Sequence, residues 1–175
     1  MTVPGFSRPE FSRMVDIRQA DGTRVELVAS AEECAALARR FDLVRIDRLE
    51  ADVSLIRDGE AVDASGTLSA GIVQSCAVSG ENLPAAIREK LAFRFVPEGA
   101  HRPGEEVELD ATALDEIEYA GTQFDLGEAV AQSLALAIDP FAEGPGAEEA
   151  RRKAGLLGEG EAGPFGALKG LLRKQ

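Results

Sequence analysis

Two cysteines, Cys34 and Cys76, and one histidine, His101, are the thiol and imidazole groups of this 175-residue sequence. A structural zinc site takes roughly four N, S or O ligands. These three residues fall at no recognisable ligand spacing, so no metal site is expected. Two thiols also cannot build the multi-bridge framework of a small secreted domain. Cys76 falls on the apolar parity of a strand pattern, where a single thiol usually serves as a small core residue. His101 stands beside Arg102-Pro103-Gly104 in a loop context, and a general base needs an orienting partner and a pocket that the sequence does not supply. No glycine-rich phosphate loop, nucleophile elbow or His-Glu-x-x-His pattern occurs. The expectation is a non-enzyme without cofactor or small-molecule substrate.

What remains for chemistry is charge. The net charge is −12, so the molecule as a whole repels phosphate backbones and attracts basic partners. Between Glu98 and Glu128 ten acids stand against the single base Arg102. The dense part is Glu105, Glu106, Glu108, Asp110, Asp115, Glu116 and Glu118. A charge run of this kind is commonly a solvated face, but its field also suits a basic ribosomal protein or a lysine-rich tail. Arg88, Lys90 and Arg94 share one face of a strand candidate, and Arg45, Arg48 and Arg57 lie on another read as its neighbour. Such bases can hold RNA phosphates. Cross-strand pairing with Asp63, Glu50 or Asp52 would neutralise them instead. No aromatic residue alternates with them, so stacking of single-stranded bases is not expected.

These groups are positioned by a short list of elements. Phe11 to Ile17 and Arg24 to Val28 read as short strands around the turn signal Asp21-Gly22. Ser30 with Glu33 predicts a capping box opening a helix over Ala31 to Phe41. Leu43 to Ile56 is a long strand candidate, closed by Asp58-Gly59. Val62, Ala64, Gly66, Leu68, Ala70, Ile72, Gln74 and Cys76 then occupy one parity, against mainly hydroxyl and acidic residues on the other. That pattern predicts a half-buried antiparallel strand, bent at its glycines. Ile87, Leu91, Phe93 and Phe95 resume the alternation, which makes a long hairpin whose tip carries Cys76 and Ser79. Val107 with Leu109, and Ile117 to Tyr119, predict further short strands. Asp125 with Glu128 predicts a second capping box, on a helix striped by Leu126, Val130, Leu134, Ala137 and Ile138 and stopped by Pro140.

Length and composition suit one α+β domain over 10–140: a bent antiparallel sheet, barrel-like at its extreme, with two covering helices. Residues 141–175 read as a flexible tail, rich in Gly, Ala and Glu. From Arg151 to Gln175 it carries six bases and two acids. Its island of Phe165, Leu168, Leu171 and Leu172 has the spacing of a short amphipathic turn, suited to docking on a partner or folding back on the chain's own sheet. No apolar run approaches a membrane span and the N-terminus has no apolar export core, so a cytoplasmic protein is expected.

The order of these parts resembles the YceD family, the large ribosomal RNA subunit accumulation proteins. The matching pieces are Gly71 to Cys76 with Ser79 to Leu83, Asp115 to Glu118 with Phe124 to Leu136, and Pro164 to Leu172. The resemblance implies a factor that supports accumulation of large-subunit ribosomal RNA, without known enzyme chemistry. Its partners would be precursor large-subunit rRNA, a basic ribosomal protein, or both. The alternative is an acidic escort for a small basic ribosomal protein, with no RNA contact. Many relatives carry Cys-x-x-Cys at the hairpin tip, where this chain has Cys76-Ala77-Val78-Ser79. A paired-cysteine metal or redox role is therefore not carried over.

Overall fold

A computed structural model of the chain describes residues 9–99 and 115–155. The expected strand at Val107 and Leu109 and the apolar island of the tail lie outside them. The elements run β1 (Met14–Asp16), a 3-10 turn (Ile17–Gln19), β2 (Arg24–Val28), α1 (Ala31–Arg40), β3 (Arg45–Asp58), β4 (Ala61–Ser75), β5 (Asn82–Pro97), β6 (Asp115–Tyr119), β7 (Gln123–Asp125), α2 (Leu126–Ala137) and α3 (Ala147–Lys153). The described residues divide into two compact units, 9–73 with 84–99 and 115–138, and 74–83 with 139–155. The class is α+β, as expected.

In the first unit the sheet order is β2-β3-β4-β5-β6. The hairpin of β3 and β4 is its spine, held by thirteen registered pairs from Arg45↔Val73 to Asp58↔Ala61. Leu49, Ala51, Val53 and Leu55 point into the core from β3, opposite Ala64, Leu68 and Ala70 of β4. Each large side chain so buried contributes about 1.5–3 kcal/mol. A bulge between Ile46 and Arg48 lets both ends of β3 keep their apolar residues inward.

Two expectations about the sheet are corrected. It is not closed into a barrel, and it is mixed rather than antiparallel: β6 pairs with β5 in parallel, from Phe93↔Asp115 to Pro97↔Tyr119. β1 joins β7 in a separate two-stranded sheet, Val15 opposite Phe124. That pairing brings Phe124 onto Phe95, the rings stacked with centroids 4.1 Å apart. Tyr119 closes the same cluster, its hydroxyl donating to the Glu60 carbonyl at 2.6 Å. Burial pushes the Tyr119 phenol above its ordinary range.

α1 has the predicted capping box: Ser30 Oγ accepts from the Glu33 N–H, and the Glu33 carboxylate accepts from the Ser30 N–H. A cap of this kind contributes about 1 kcal/mol. Asp125 likewise caps α2 by accepting from the Glu128 N–H. The expected reciprocal half is missing there. The Glu128 carboxylate turns instead to the Arg40 guanidinium at 2.7 Å, which ties α2 to α1. Hydrogen bonding from Arg40 holds the Glu128 carboxyl below the usual carboxylate range.

Gly66 and Gly127 set how closely backbones approach. A Cβ on Gly66 would overlap the Asp52 carbonyl across the hairpin, and one on Gly127 would overlap the Phe11 carbonyl. A Cβ on Gly71 would find nothing nearer than 3.9 Å. Gly66→Ala should therefore cost at least about 2 kcal/mol in urea unfolding, whereas Gly71→Ala should leave the midpoint level or raised. Equal effects of the two would show that the close approach at Gly66 does not matter.

Candidate functional site

The outer face of the first unit's sheet carries most of the sequence-predicted bases. Residues of β2, β3 and β4 that alternate with the core form cross-strand rows. Glu26 lies opposite Asp52, which lies opposite Thr67; Val28 lies opposite Glu50, which lies opposite Ser69. On β5, Arg94 reaches Asp63 of β4 at 2.7 Å and Asp58 at 2.9 Å. Counting along the hairpin from that contact, with period two, brings Lys90 and Arg88 alongside the Thr67–Ser69 stretch. β3 and β5 are not neighbours as expected: β4 lies between them.

The five candidate bases divide into two groups. Arg94 is neutralised by Asp58 and Asp63, and those hydrogen bonds raise its pKa above the ordinary value. Arg45 pairs with Asp47 at 2.7 Å, within the bulge. Arg48, Arg88 and Lys90 are exposed and have no ion-pair partner among the described residues. Arg48 sits at Gly71, one row beyond the Glu50–Ser69 pair. The possible neutralisation of Arg94 by Asp63 was readable from the sequence, whereas that of Asp52 by Arg24 depends on the β2–β3 register. Arg57 is engaged locally, its Nε donating to the Gly59 carbonyl at 2.7 Å.

The acidic half of this face was missed by sequence reading. Glu26, Glu50 and Asp52 line a shallow groove of about 260 Å³ with Thr67 and Ser69. The signal was present as the alternation of acids in β2 and β3, but their adjacency depends on register. Of the acidic segment named from the sequence, Asp115, Glu116 and Glu118 lie on β6 and are exposed. Glu105, Glu106, Glu108 and Asp110 lie outside the described residues, as do His101, Phe165 and Leu168.

In the second unit the hairpin tip and the segment after Ile138 form a clasp. Little fixed structure was expected from Ala142 onward, yet residues 142–155 turn and enter α3. Backbone donors explain why. The Gly144 N–H donates to Cys76 Sγ at 3.4 Å, and the Gly146 N–H donates to the Glu81 carboxylate at 2.8 Å. The buried Gln74 amide donates to the Asp139 carbonyl at 3.0 Å, and the Ala77 N–H to the Ala142 carbonyl at 3.0 Å. Arg151 pairs with Glu143 within the same segment. The acid-first, base-last order of Glu148, Glu149, Arg151, Arg152 and Lys153 was the available sign of α3.

Cys76 is buried at 4% exposure, in keeping with its parity, yet it is also an acceptor. The Ser79 hydroxyl, the Ser79 N–H and the Gly144 N–H draw its thiol down to about 7. Cys34 is the contrast, a buried thiol on α1 that burial pushes upward. Among the described residues no group of three His, Cys, Asp or Glu side chains is placed to hold a metal ion, and no helix is long and apolar enough to cross a membrane. No family model, curated protein or solved structure matches the chain.

A thiol whose folded pKa lies below its unfolded value contributes stability that is full above the unfolded value. That contribution is lost as the pH falls through about 7. In a Cys34→Ala background, thiolate absorbance should rise with a midpoint near 7, and protease cutting within residues 139–155 should increase as the pH drops from about 9 to about 6. Cys76→Ala should remove that pH dependence. A midpoint at the ordinary thiol value would show that the amide donors do not stabilise the thiolate.

Proposed function

We propose that this chain is a non-catalytic assembly factor that supports accumulation of large-subunit ribosomal RNA and contacts the precursor RNA directly. The resemblance to the YceD family motivates the biological role. The observation that supports direct contact is the cluster of Arg48, Arg88 and Lys90, exposed on one sheet face without ion-pair partners among the described residues, while Arg45 and Arg94 are neutralised. Side chains of this reach can take successive phosphates along a single strand, and such contacts position RNA without reading its sequence. Three phosphate contacts give a weak, salt-sensitive association with a log–log salt slope near −2 for a single strand.

Arg88→Glu with Lys90→Glu should lower affinity for a precursor large-subunit RNA fragment at least about tenfold and flatten the salt slope from about −2 to about −0.7. Arg94→Ala should change affinity less than about twofold, since Arg94 is already engaged. Equal losses for the two variants would sink the assignment to Arg88 and Lys90.

One observation favours the second reading, an escort for a basic ribosomal protein. Glu26, Glu50 and Asp52 line one groove, and exposed Asp115 and Glu118 add to the negative field on β6. Under that reading Glu26→Lys with Glu50→Lys abolishes capture of the basic protein, and the β5 bases are without effect.

A further inference from the structure

Folding alone does not account for how the signs are distributed on the sheet face. Glu26 lies directly opposite Asp52, with Glu50 one row away on the same side. Like charges directly opposite one another destabilise a sheet; Arg24 pairs with Asp52 and also attracts Glu26, so one base serves two acids there and Glu50 is left outside that pair. Arg88 and Lys90, which have no ion-pair partner among the described residues, stand on β5, beyond β4. Exchanging residues between β2 and β5 would give local ion pairs and a more stable sheet. Between the two signs runs the small, polar strip of Ser65, Thr67 and Ser69 on β4.

An occupant of a single sign fits half of this face and is repelled by the other half, because neighbouring strands lie only about 4.8 Å apart. A second copy of the same face fits all of it. A two-fold axis lying in the interface, parallel to the strands and between β3 and β4, lays β5 of one copy over β2 of the other. Rows are preserved by that rotation. Lys90, in the row of Thr67, then meets Glu26 of the other copy, and Arg88 meets Val28 and Glu50. Val28 is 61% exposed and supplies apolar contact for the Arg88 stem. The short side chains of β4 allow the two sheets to approach face to face.

We propose that this face is a self-complementary interface, through which two copies of the chain associate by pairing the acids of β2 and β3 with the bases of β5. The dimer and the RNA of the proposed function compete for Arg88 and Lys90, so the dimer is the RNA-free state. Four strands about 4.8 Å apart and eight residues of about 3.3 Å rise cover about 500 Å² per copy, or about 1,000 Å² in all. That is the low end for a specific interface, so the dimer is weak and salt-sensitive.

The test is sedimentation equilibrium of the full chain at low salt, without RNA, on wild type, on the acid-reversed variant (Glu26→Lys, Glu50→Lys) and on the base-reversed variant (Arg88→Glu, Lys90→Glu). The expected result is a wild-type dimer that dissociates at high salt, each variant monomeric alone, and an equimolar mixture of the two forming a heterodimer. Rescue in the mixture separates loss of the interface from loss of the fold. A wild-type monomer at every concentration would overturn the proposal, as would variants that dimerise as wild type does. A monomer that binds a polylysine peptide only while Glu26 and Glu50 are intact would assign the face to a basic polypeptide. A monomer that binds a single-stranded oligonucleotide only while Arg88 and Lys90 are intact would assign it to RNA. Either assignment excludes the dimer.

Discussion

The close approach of β3 and β4 at Gly66 is the constraint on which the first unit depends. The pair Val53↔Gly66 sits in the middle of the β3–β4 ladder, where a methyl group would collide with the backbone opposite. With that approach allowed, alternate residues of both strands reach the core, the bulge between Ile46 and Arg48 switching the inward parity near the start of β3. β2 and β5 then find their places on either side, and the outer parity is left as a continuous polar face. The core composition follows from the same geometry. Without Trp and with a single Tyr, the interior is filled by aliphatic side chains from the spine, and the larger rings gather where β5 meets β6 and β7.

Much of the architecture was legible because it is local. Period-two alternation located β3, β4 and β5, and capping chemistry located both long helices to within a residue or two. What was not legible is non-local. Nothing in Met14–Asp16 announces that its partner is Gln123–Asp125, over a hundred residues away, because a three-residue strand carries too little pattern to specify a mate. The strand at β6 was legible, but its five residues did not announce a parallel pairing with β5. At α2 a correct motif gave a wrong detail: the acid that should have completed the capping box is held by Arg40, and a bidentate charge pair outweighs a single backbone N–H.

The candidate sites divide in the same way. That Cys76 belongs on a buried parity could be read from the strand pattern. That its sulfur accepts from Gly144 could not, since the donor lies 68 residues further along the chain. The composition of residues 142–155 argued against order because few apolar groups are present to be buried. Order there comes from backbone donors finding a thiol and a carboxylate on the hairpin tip, a source of stability that composition does not register.

Charge is where sequence reading was most misleading, and the reason is physical. A run of bases or acids defines a face only when its neighbours in space are known, and register decides those neighbours. Arg94 and Lys90 are four residues apart on one face of one strand, yet one is clamped by two carboxylates and the other has no ion-pair partner among the described residues. The difference arises on β4, where the row of Arg94 offers Asp63 while the rows toward the tip offer only hydroxyls. Placing serine and threonine beside Lys90 and Arg88, and acids beside acids one strand further on, forgoes ion pairs that a simple exchange would have provided. Surface pairs contribute little individually, typically under about 1 kcal/mol, so the fold tolerates this arrangement. The field it creates outside the sheet is less small: the acids of β2 and β3, offset in part by Arg24 and Arg48, and the bases of β5 two to three strand spacings away set the orientation of whatever comes to lie on them.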